Sequence, residues 1–313
     1  MPFPLLRLPA LAIEEIVKNC DHKEILFLVQ TSSRARRLIS RHTKLHSIGI
    51  AVVDNASSSY AGIFYGEREI FRVSIQTWRE QINSSWRFQF FVRDERNILV
   101  SLWKQKDTCI QEILDFLKGI FGIEEVSFKV EQSSSCQAVL ILENCVSNNL
   151  NIGSVDWLTI SGSDEMTGRF LMASKGATQL NFNGFYSITF RFNHFHLFRM
   201  DQLRIENATW ITSEQVVALR NCKRIDLGFV WLDEPSINKI LREYLENPGK
   251  MQEIRMSFPL GITLEEVVKG LDAVRIEESN GERAQKYWFN GKEGLQLSLT
   301  KEWMGPIVIT RKT

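Results

Sequence analysis

The sequence predicts a protein of the mixed α+β / α/β class, in which a short helical segment precedes a repetitive α/β array with β-rich segments on both sides. Three observations predict this class. Apolar residues recur at helical spacing near the N-terminus, a short apolar pattern repeats through the centre of the chain, and the regions beside that centre are rich in β-branched and aromatic residues. The predicted segments are 1–45, 46–122, 123–260 and 261–313.

The first helix follows the Leu8-Pro9 pair. Because the residue before a proline avoids the helical region, this pair predicts an extended entry. Beyond it, apolar residues occupy the i, i+3, i+4 and i+7 positions of one helical face, namely Ile13, Ile16, Val17 and Cys20.

A second helix is predicted to begin after Asp21. The Asp21 side chain can accept a hydrogen bond from the next turn, while Glu24 reaches back to the start of the helix. The body of this helix, Ile25 to Val29, is apolar without interruption, which is typical of a helix covered on more than one face. A buried strand is the alternative, since periodicity does not separate the two in so short a run. Ser32 or Ser33 opens a third helix, which places Arg34, Arg36 and Arg37 outside and Leu38 and Ile39 inside.

Three helices of about ten residues form only a marginal core by themselves. The segment nevertheless carries more large apolar side chains than such a core can bury, so we expect a partner protein to cover some of them. The run FPLLRLPALAIEEIVKNCDHKEILFLVQTSSRARRLI resembles an F-box. The resemblance implies docking on a Skp-type adaptor and, through it, on a cullin–RING (SCF-type) ubiquitin ligase.

The apolar residues of this segment are predicted to divide between the adaptor interface and the segment's own core. The sequence does not say which residue goes where. The candidate partner-binding residues are Leu8, Pro9, Ile13, Ile16, Val17, Leu26, Leu28 and Val29.

An apolar-x-x-apolar-x-apolar pattern recurs through the centre of the chain. Its copies are Val155, Leu158, Ile160; Ala177, Leu180, Phe182; Met200, Leu203, Ile205; Cys222, Ile225, Leu227; and Met251, Ile254, Met256, with an earlier copy at Ile123, Val126, Phe128. Periods in the twenties with one short strand per unit predict parallel, leucine-rich-repeat-like stacking, in a degenerate form. An ordinary α/β domain is the alternative, because it also spaces strands by twenty to thirty residues.

Helices are predicted between these strands. Thr212 is a suitable cap for a helix from Ser213 to Arg220, and Pro235 fits the first turn of a helix that Asn247-Pro248-Gly249 ends. In the preceding region, strands dominate, with a hairpin turn near residues 94–97 and a helix over residues 107–122. Three strand-like runs after Leu271 are expected to cap the open end of the array, at residues 287–289, 295–299 and 307–309.

The larger part of the chain also resembles a known family. The sections WITSEQVVALRNCKRIDL and INKILREYLENPGKMQEIRM, with KGLDAVR and a β-rich tail, are similar to the type-2 F-box-associated domain of nematode F-box proteins. This resemblance implies a subunit that recruits a target protein to the ligase. It supplies no residue pattern for the target-binding surface.

Composition excludes several other classes of function. The formal net charge is only +1, so the Arg-rich third helix is interpreted as a solvated face and no nucleic-acid partner is expected. No apolar run approaches the length of a membrane span. The five cysteines have no short spacing, which favours reduced thiols in the cytoplasm or nucleus.

Known catalytic motifs are not found, so we expect no enzymatic activity and no cofactor. His194-x-His196 could start a metal site, but no third ligand is suitably spaced, and two packed or exposed histidines are the preferred interpretation. An aromatic cluster from Phe182 to Phe198 is long enough to leave some rings at a protein-binding surface. Two alternatives stay open: a repeat scaffold outside any ligase, and an enzyme whose site has no sequence signature.

Overall fold

The computed structural model describes residues 8–44, 46–54, 59–76, 89–93, 98–104, 109–131, 136–158, 163–183, 190–259, 261–276, 285–301 and 305–312. The chain divides into two compact units, residues 1–153 and 154–313. The predicted four-part division stays a prediction. No described helix is long and apolar enough to cross a membrane.

The first unit begins with three short helices and continues as a mixed sheet with two further helices. Its helices are α1 (Ala10–Asn19), α2 (His22–Thr31), α3 (Ser33–Ile39), α4 (Cys109–Ile120) and α5 (Cys136–Ser147). Its strands are β1 (Ser47–Asp54), β2 (Ser59–Tyr65), β3 (Arg68–Gln76), β4 (Gln89–Arg93), β5 (Ile98–Lys104) and β6 (Gly122–Val130). The strand order is β6-β1-β2-β3-β5-β4.

The predicted strands and the predicted helix of this unit are confirmed. Strands β1, β2 and β3 form an antiparallel meander, and β6 lies parallel to β1. The β2–β3 turn includes Gly66, whose φ of +58° is a conformation that glycine adopts without strain. Strands β4 and β5 pair antiparallel, as a hairpin requires. The predicted hairpin turn at residues 94–97 lies outside the described residues.

The second unit alternates parallel strands with helices and ends in an antiparallel meander. Its strands are β7 (Ile152–Trp157), β8 (Gln179–Phe182), β9 (Gln202–Ile205), β10 (Arg224–Leu227), β11 (Glu253–Met256), β12 (Ala273–Ile276), β13 (Gln285–Asn290), β14 (Gln296–Lys301) and β15 (Ile307–Arg311). Its helices are α6 (Asp164–Ser174), α7 (Ser213–Ala218), α8 (Glu234–Glu246) and α9 (Leu264–Val267).

Strands β7 to β11 lie side by side in chain order, and every neighbouring pair is parallel. Their registers align the apolar repeat into two rows of buried side chains. The first row is Val155, Leu180, Leu203, Ile225 and Ile254. The second row is Trp157, Phe182, Ile205, Leu227 and Met256. The predicted parallel pairing of these strands is therefore confirmed, whereas their leucine-rich-repeat-like character stays a prediction.

One copy of the repeat was placed wrongly by the sequence pattern. The predicted copy pairs Leu158 with Leu180, whereas the structure pairs Val155 with Leu180. The copy that enters the sheet is Ile152, Val155, Trp157, which has the same apolar spacing and is buried throughout. The pattern failed here because Val155 fits both overlapping copies, and spacing alone does not choose between them.

The helices between these strands confirm the predicted caps. Thr212 and Gln215 form a reciprocal capping box at the start of α7. Helix α8 has Pro235 in its first turn and ends at Asn247. Gly249 follows with φ of +57°, and a Cβ there would lie 2.5 Å from the carbonyl oxygen of Arg220, so only glycine fits.

The C-terminal strands complete the second sheet. Strands β13, β14 and β15 form an antiparallel meander, and β15 pairs antiparallel with β11, where Ile309 lies opposite Ile254. The three predicted strand-like runs are confirmed, as is their position at the end of the parallel series. Strand β12 pairs with β13 at the other edge of the meander.

The described part of the predicted aromatic cluster lies in the core of the second unit. Phe190 packs against Trp210 at 4.9 Å between ring centroids, and Phe192 packs against Phe195 at the same distance. The described members of the cluster are all buried, namely Phe182, Phe190, Phe192, Phe195 and Phe198. Phe185 and Tyr186 lie outside the described residues. His194 and His196 are exposed, and no group of three potential ligands that could hold a metal occurs within the described ranges.

Candidate functional site

The three N-terminal helices begin as the sequence predicts. Asp21 Oδ1 accepts a hydrogen bond from the Glu24 amide at 2.8 Å, and Glu24 Oε2 accepts one from the Asp21 amide at 2.8 Å. This reciprocal capping box fixes the start of α2. Ser32 is the cap of α3, since its Oγ accepts from the Ala35 amide at 3.0 Å. The predicted second helix is confirmed, and its strand alternative is wrong.

One side of these helices packs within the first unit. The His22 ring lies against Tyr65, with 4.3 Å between ring centroids, and against His46 and Phe121 at 5.2 and 5.7 Å. Burial lowers the pKa of His22, and the nearby His46 lowers it further. A neutral imidazole therefore fills this contact near neutral pH.

Two polar contacts at the end of the helical segment attach it to α4. The Thr43 hydroxyl is fully buried and donates to the Ile120 carbonyl oxygen at 2.5 Å. The Lys44 ammonium donates to the carbonyl oxygens of Lys118 and Phe121. Arg36 lies over the Phe116 ring at 4.9 Å from its centroid, so this arginine of the third helix packs against α4. These contacts set which side of the helices faces the rest of the unit.

The structure divides the predicted partner-binding residues into two groups. Four of them are covered by the chain itself and belong to its core: Ile13, Val17, Leu26 and Val29. The other four are accessible, with Pro9 exposed and the rest half-buried: Leu8, Pro9, Ile16 and Leu28. Only the second group is available to another protein without a change of conformation.

Two accessible apolar side chains were missed by the sequence analysis. Leu11 is 77% exposed on α1, and Phe27 is 44% exposed on α2. Both lie on the outer sides of helices whose inner sides carry Ile13, Val17, Leu26 and Val29. The signal was present for Phe27, because an uninterrupted apolar run on a helix must place some members on its outer side.

We define the outer apolar surface as the accessible residues Leu8, Pro9, Leu11, Ile16, Phe27 and Leu28. Charged side chains of α1 are paired among themselves near this surface: the Lys18 ammonium lies 3.0 Å from Glu14 and 3.2 Å from Glu15. These hydrogen bonds lower the pKa of Glu14 and raise the pKa of Lys18, so both groups stay charged at neutral pH. The surface offers apolar contact with charged groups at its side.

Comparison with known proteins identifies this segment. Residues 5–47 match the family model described as the F-box domain. The N-terminal segment is an F-box domain. The sequence prediction of an F-box is confirmed, whereas the type-2 F-box-associated domain stays a prediction.

Most of the chain is also similar to a curated protein of Caenorhabditis elegans, the Skn-1 dependent zygotic transcript 15 protein. The two are 24% identical over 267 residues, which cover 79% of this chain and 76% of that protein. No solved structure matches the chain.

Proposed function

We propose that this protein is the substrate-recognition subunit of an SCF-type ubiquitin ligase. In this role the F-box binds a Skp-type adaptor, the adaptor connects the chain to a cullin, and the second unit holds a target protein. The F-box match at residues 5–47 is the observation that carries the proposal. We further propose that the second unit is a leucine-rich-repeat-like, type-2 F-box-associated domain, a proposal that the parallel series β7 to β11 supports.

The outer apolar surface supports the adaptor contact. Leu11 is 77% exposed and Phe27 is 44% exposed at the F-box, so both offer apolar area to a partner. Aromatic residues are enriched at interfaces, and a few side chains buried near the centre supply most of the binding energy. A specific interface of this kind buries about 1,200 to 2,000 Å² in total.

The test is a pull-down of a recombinant Skp-type adaptor with the full chain. We expect the wild-type chain to retain the adaptor, and Phe27→Ala to weaken the complex by about 30-fold, the effect of losing roughly 2 kcal/mol at an interface hot spot. The matched control is Leu140→Ala, which removes an apolar side chain that is 53% exposed on α5. The control should bind as the wild type does.

A second variant tests the predicted entry to the F-box. Leu8→Ala with Pro9→Ala should also reduce adaptor binding. If the wild-type chain does not bind the adaptor, the ligase proposal fails, and the result favours the alternative of a repeat scaffold outside any ligase. If binding survives both the Phe27 and the Leu8/Pro9 variants, the outer apolar surface is not the docking site. Affinity purification with mass spectrometry under proteasome inhibition then identifies the target.

A further inference from the structure

The loop between β10 and α8 exposes two aromatic side chains. Phe229 is 63% exposed and Trp231 is 62% exposed, whereas Val230 between them is fully buried. This exposed aromatic pair beside a buried valine differs from aromatic residues such as Phe182 and Trp210, which lie in the core. Aromatic residues are enriched at protein interfaces and often dominate their binding energy.

The backbone of this loop is fixed on both sides. The Gly228 amide donates to Ile205 O at 2.8 Å, and Gly228 O accepts from the Ala208 amide at 2.8 Å. On the other side, the Val230 amide donates to Ser257 O at 2.8 Å. The loop is therefore held between the loops that follow β9 and β11, and the two rings project from a defined backbone.

Phe229 adopts a backbone conformation that is unfavourable for its residue type. Its φ is +47°, in the left-handed region that glycine tolerates and that aromatic residues rarely occupy. Such strain persists only where the surrounding structure enforces it, and it clusters at binding and catalytic sites. The preceding position is tightly packed as well: a Cβ at Gly228 would lie 2.3 Å from the carbonyl oxygen of Glu206, so this position has no room for a side chain.

The loops that carry and flank the two rings have only acidic charged side chains of their own, although the Lys301 ammonium reaches the loop after β11 and donates to the carbonyl oxygen of Ile262. The loops after β9, β10 and β11 are residues 206–212, 228–233 and 257–263, and their only charged side chains are Glu206 and Asp233. Arg204 offsets part of the charge of Glu206, with 3.2 Å between the groups. Asp233 is exposed and has no ion-pair partner within 4.0 Å among the described residues, although its side chain also caps α8.

The opposite ends of the same strands are richer in basic residues. The segments that lead into β9, β10 and β11 contain Arg199, Arg220, Lys223 and Lys250, of which Lys223 pairs with Asp201 at 2.6 Å and Arg220 lies 3.9 Å from Glu243. The aromatic pair therefore lies at the acidic end of a polarised series of strands.

We propose that Phe229 and Trp231 form the docking surface for a target protein segment in which a lysine or arginine lies next to an apolar residue. The apolar side chain would pack on Phe229, and the cation would lie over the face of Trp231, the best aromatic partner for a cation. Asp233 and Glu206 supply the complementary negative charge and speed the encounter. This inference rests on the proposed function, because it assigns the target-binding surface of the same subunit.

The test selects peptides from a random library of displayed dodecapeptides on the immobilised full chain. We expect the enriched peptides to contain a basic residue within a few positions of an apolar one. A fluorescein-labelled copy of the most enriched peptide then measures affinity. The double variant Phe229→Gly with Trp231→Ala should lower that affinity at least tenfold, and glycine at 229 relieves the backbone strain so that the variant keeps its fold.

Two further variants sharpen the measurement. The control Leu140→Ala with Val274→Ala removes two other exposed apolar side chains and should bind the peptide as the wild type does. Asp233→Asn removes the negative charge but keeps a residue that caps helices well. It should weaken binding several-fold at low salt, with a smaller loss at high salt.

The outcomes separate this inference from the adaptor proposal. The aromatic double variant should still bind the Skp-type adaptor, and Phe27→Ala should still bind the peptide. The inference is overturned if no peptide is enriched, if the enriched peptides lack basic residues, or if the aromatic variant binds as tightly as the control. It is also overturned if sedimentation shows that the two rings instead join copies of this chain.

Discussion

Replacing Phe229 by alanine and by glycine gives a direct measure of the backbone strain in the β10–α8 loop. Glycine normally destabilises a fixed backbone by about 0.5 to 1 kcal/mol relative to alanine, because it loses more conformational freedom on folding. At Phe229 the φ of +47° reverses the comparison, since a residue with a Cβ costs about 1 to 2 kcal/mol in the left-handed region. We therefore expect the glycine variant to be more stable than the alanine variant by about 0.5 to 1 kcal/mol.

The comparison isolates the backbone because both variants lose the same ring. The loop cannot relax to a different φ easily, since Gly228 and Val230 on either side are held by hydrogen bonds of 2.8 Å. Trp231 is the matched control: it is equally exposed, and its φ is not positive. Alanine should therefore be more stable than glycine at Trp231 by about 0.5 to 1 kcal/mol.

Urea unfolding followed by circular dichroism measures the four free energies. In a thermal scan the expected difference in stability between the two variants at position 229 corresponds to a difference in Tm of about 2 °C for a unit of this size. A glycine variant that is less stable than the alanine variant at Phe229 would refute the assigned conformation. It would also remove the argument that strain marks this loop.

The remaining predictions concern the F-box and the core. Leu26→Ala should lower the free energy of unfolding by about 3 to 5 kcal/mol in a urea titration, because Leu26 is fully buried, whereas Phe27→Ala should lower it by less, because Phe27 is 44% exposed. The pKa of His22 is lowered from 6.5 by burial, so the unfolded chain binds a proton first as the pH falls. His22 therefore leaves the free energy of unfolding unaffected above pH 6.5 and reduces it below that pH. A His22→Phe variant should lose less stability than the wild type between pH 7 and 5, and an identical loss would contradict this. Burial raises the pKa of the Cys222 thiol to about 11. In the wild-type chain Cys222 should therefore react with a thiol reagent only after denaturation, which mass spectrometry of the labelled peptides would measure. Gly249→Ala should be strongly destabilising in the same urea assay, and wild-type stability would show that the turn can move away from Arg220 O.

Elements defined by local signals could be predicted from the sequence. The Asp21–Glu24 capping box and the Thr212 cap each depend on residues within one helical turn, so the sequence contains all the groups that form them. The parallel series was predictable because its apolar pattern recurs often enough for one period to stand out. The copy near Val155 was placed wrongly because two overlapping copies of the pattern share this residue. Only the pairing of Val155 with Leu180 in the sheet decides between them.

Exposure was much harder to predict than secondary structure. Ile13 and Ile16 are the same residue type three positions apart on one helix, yet the first is buried and the second is accessible. The difference arises from what packs against α1, which is a property of the tertiary structure. The aromatic residues show the same limit: the sequence pattern indicates that some rings of the Phe182 to Phe198 cluster could be exposed, but it gives no such signal for Phe229 and Trp231, which the structure exposes.

The antiparallel pairing of β15 with β11 also limits how this protein can change in evolution. A parallel series with a free edge can lengthen when a duplicated unit joins that edge. Here the backbone groups of β11 that would receive such a unit already bind β15, with Ile254 opposite Ile309. A duplicated unit would have to displace β15 to join this edge, so descendants of this chain can diversify more readily by altering loops than by gaining length at this end.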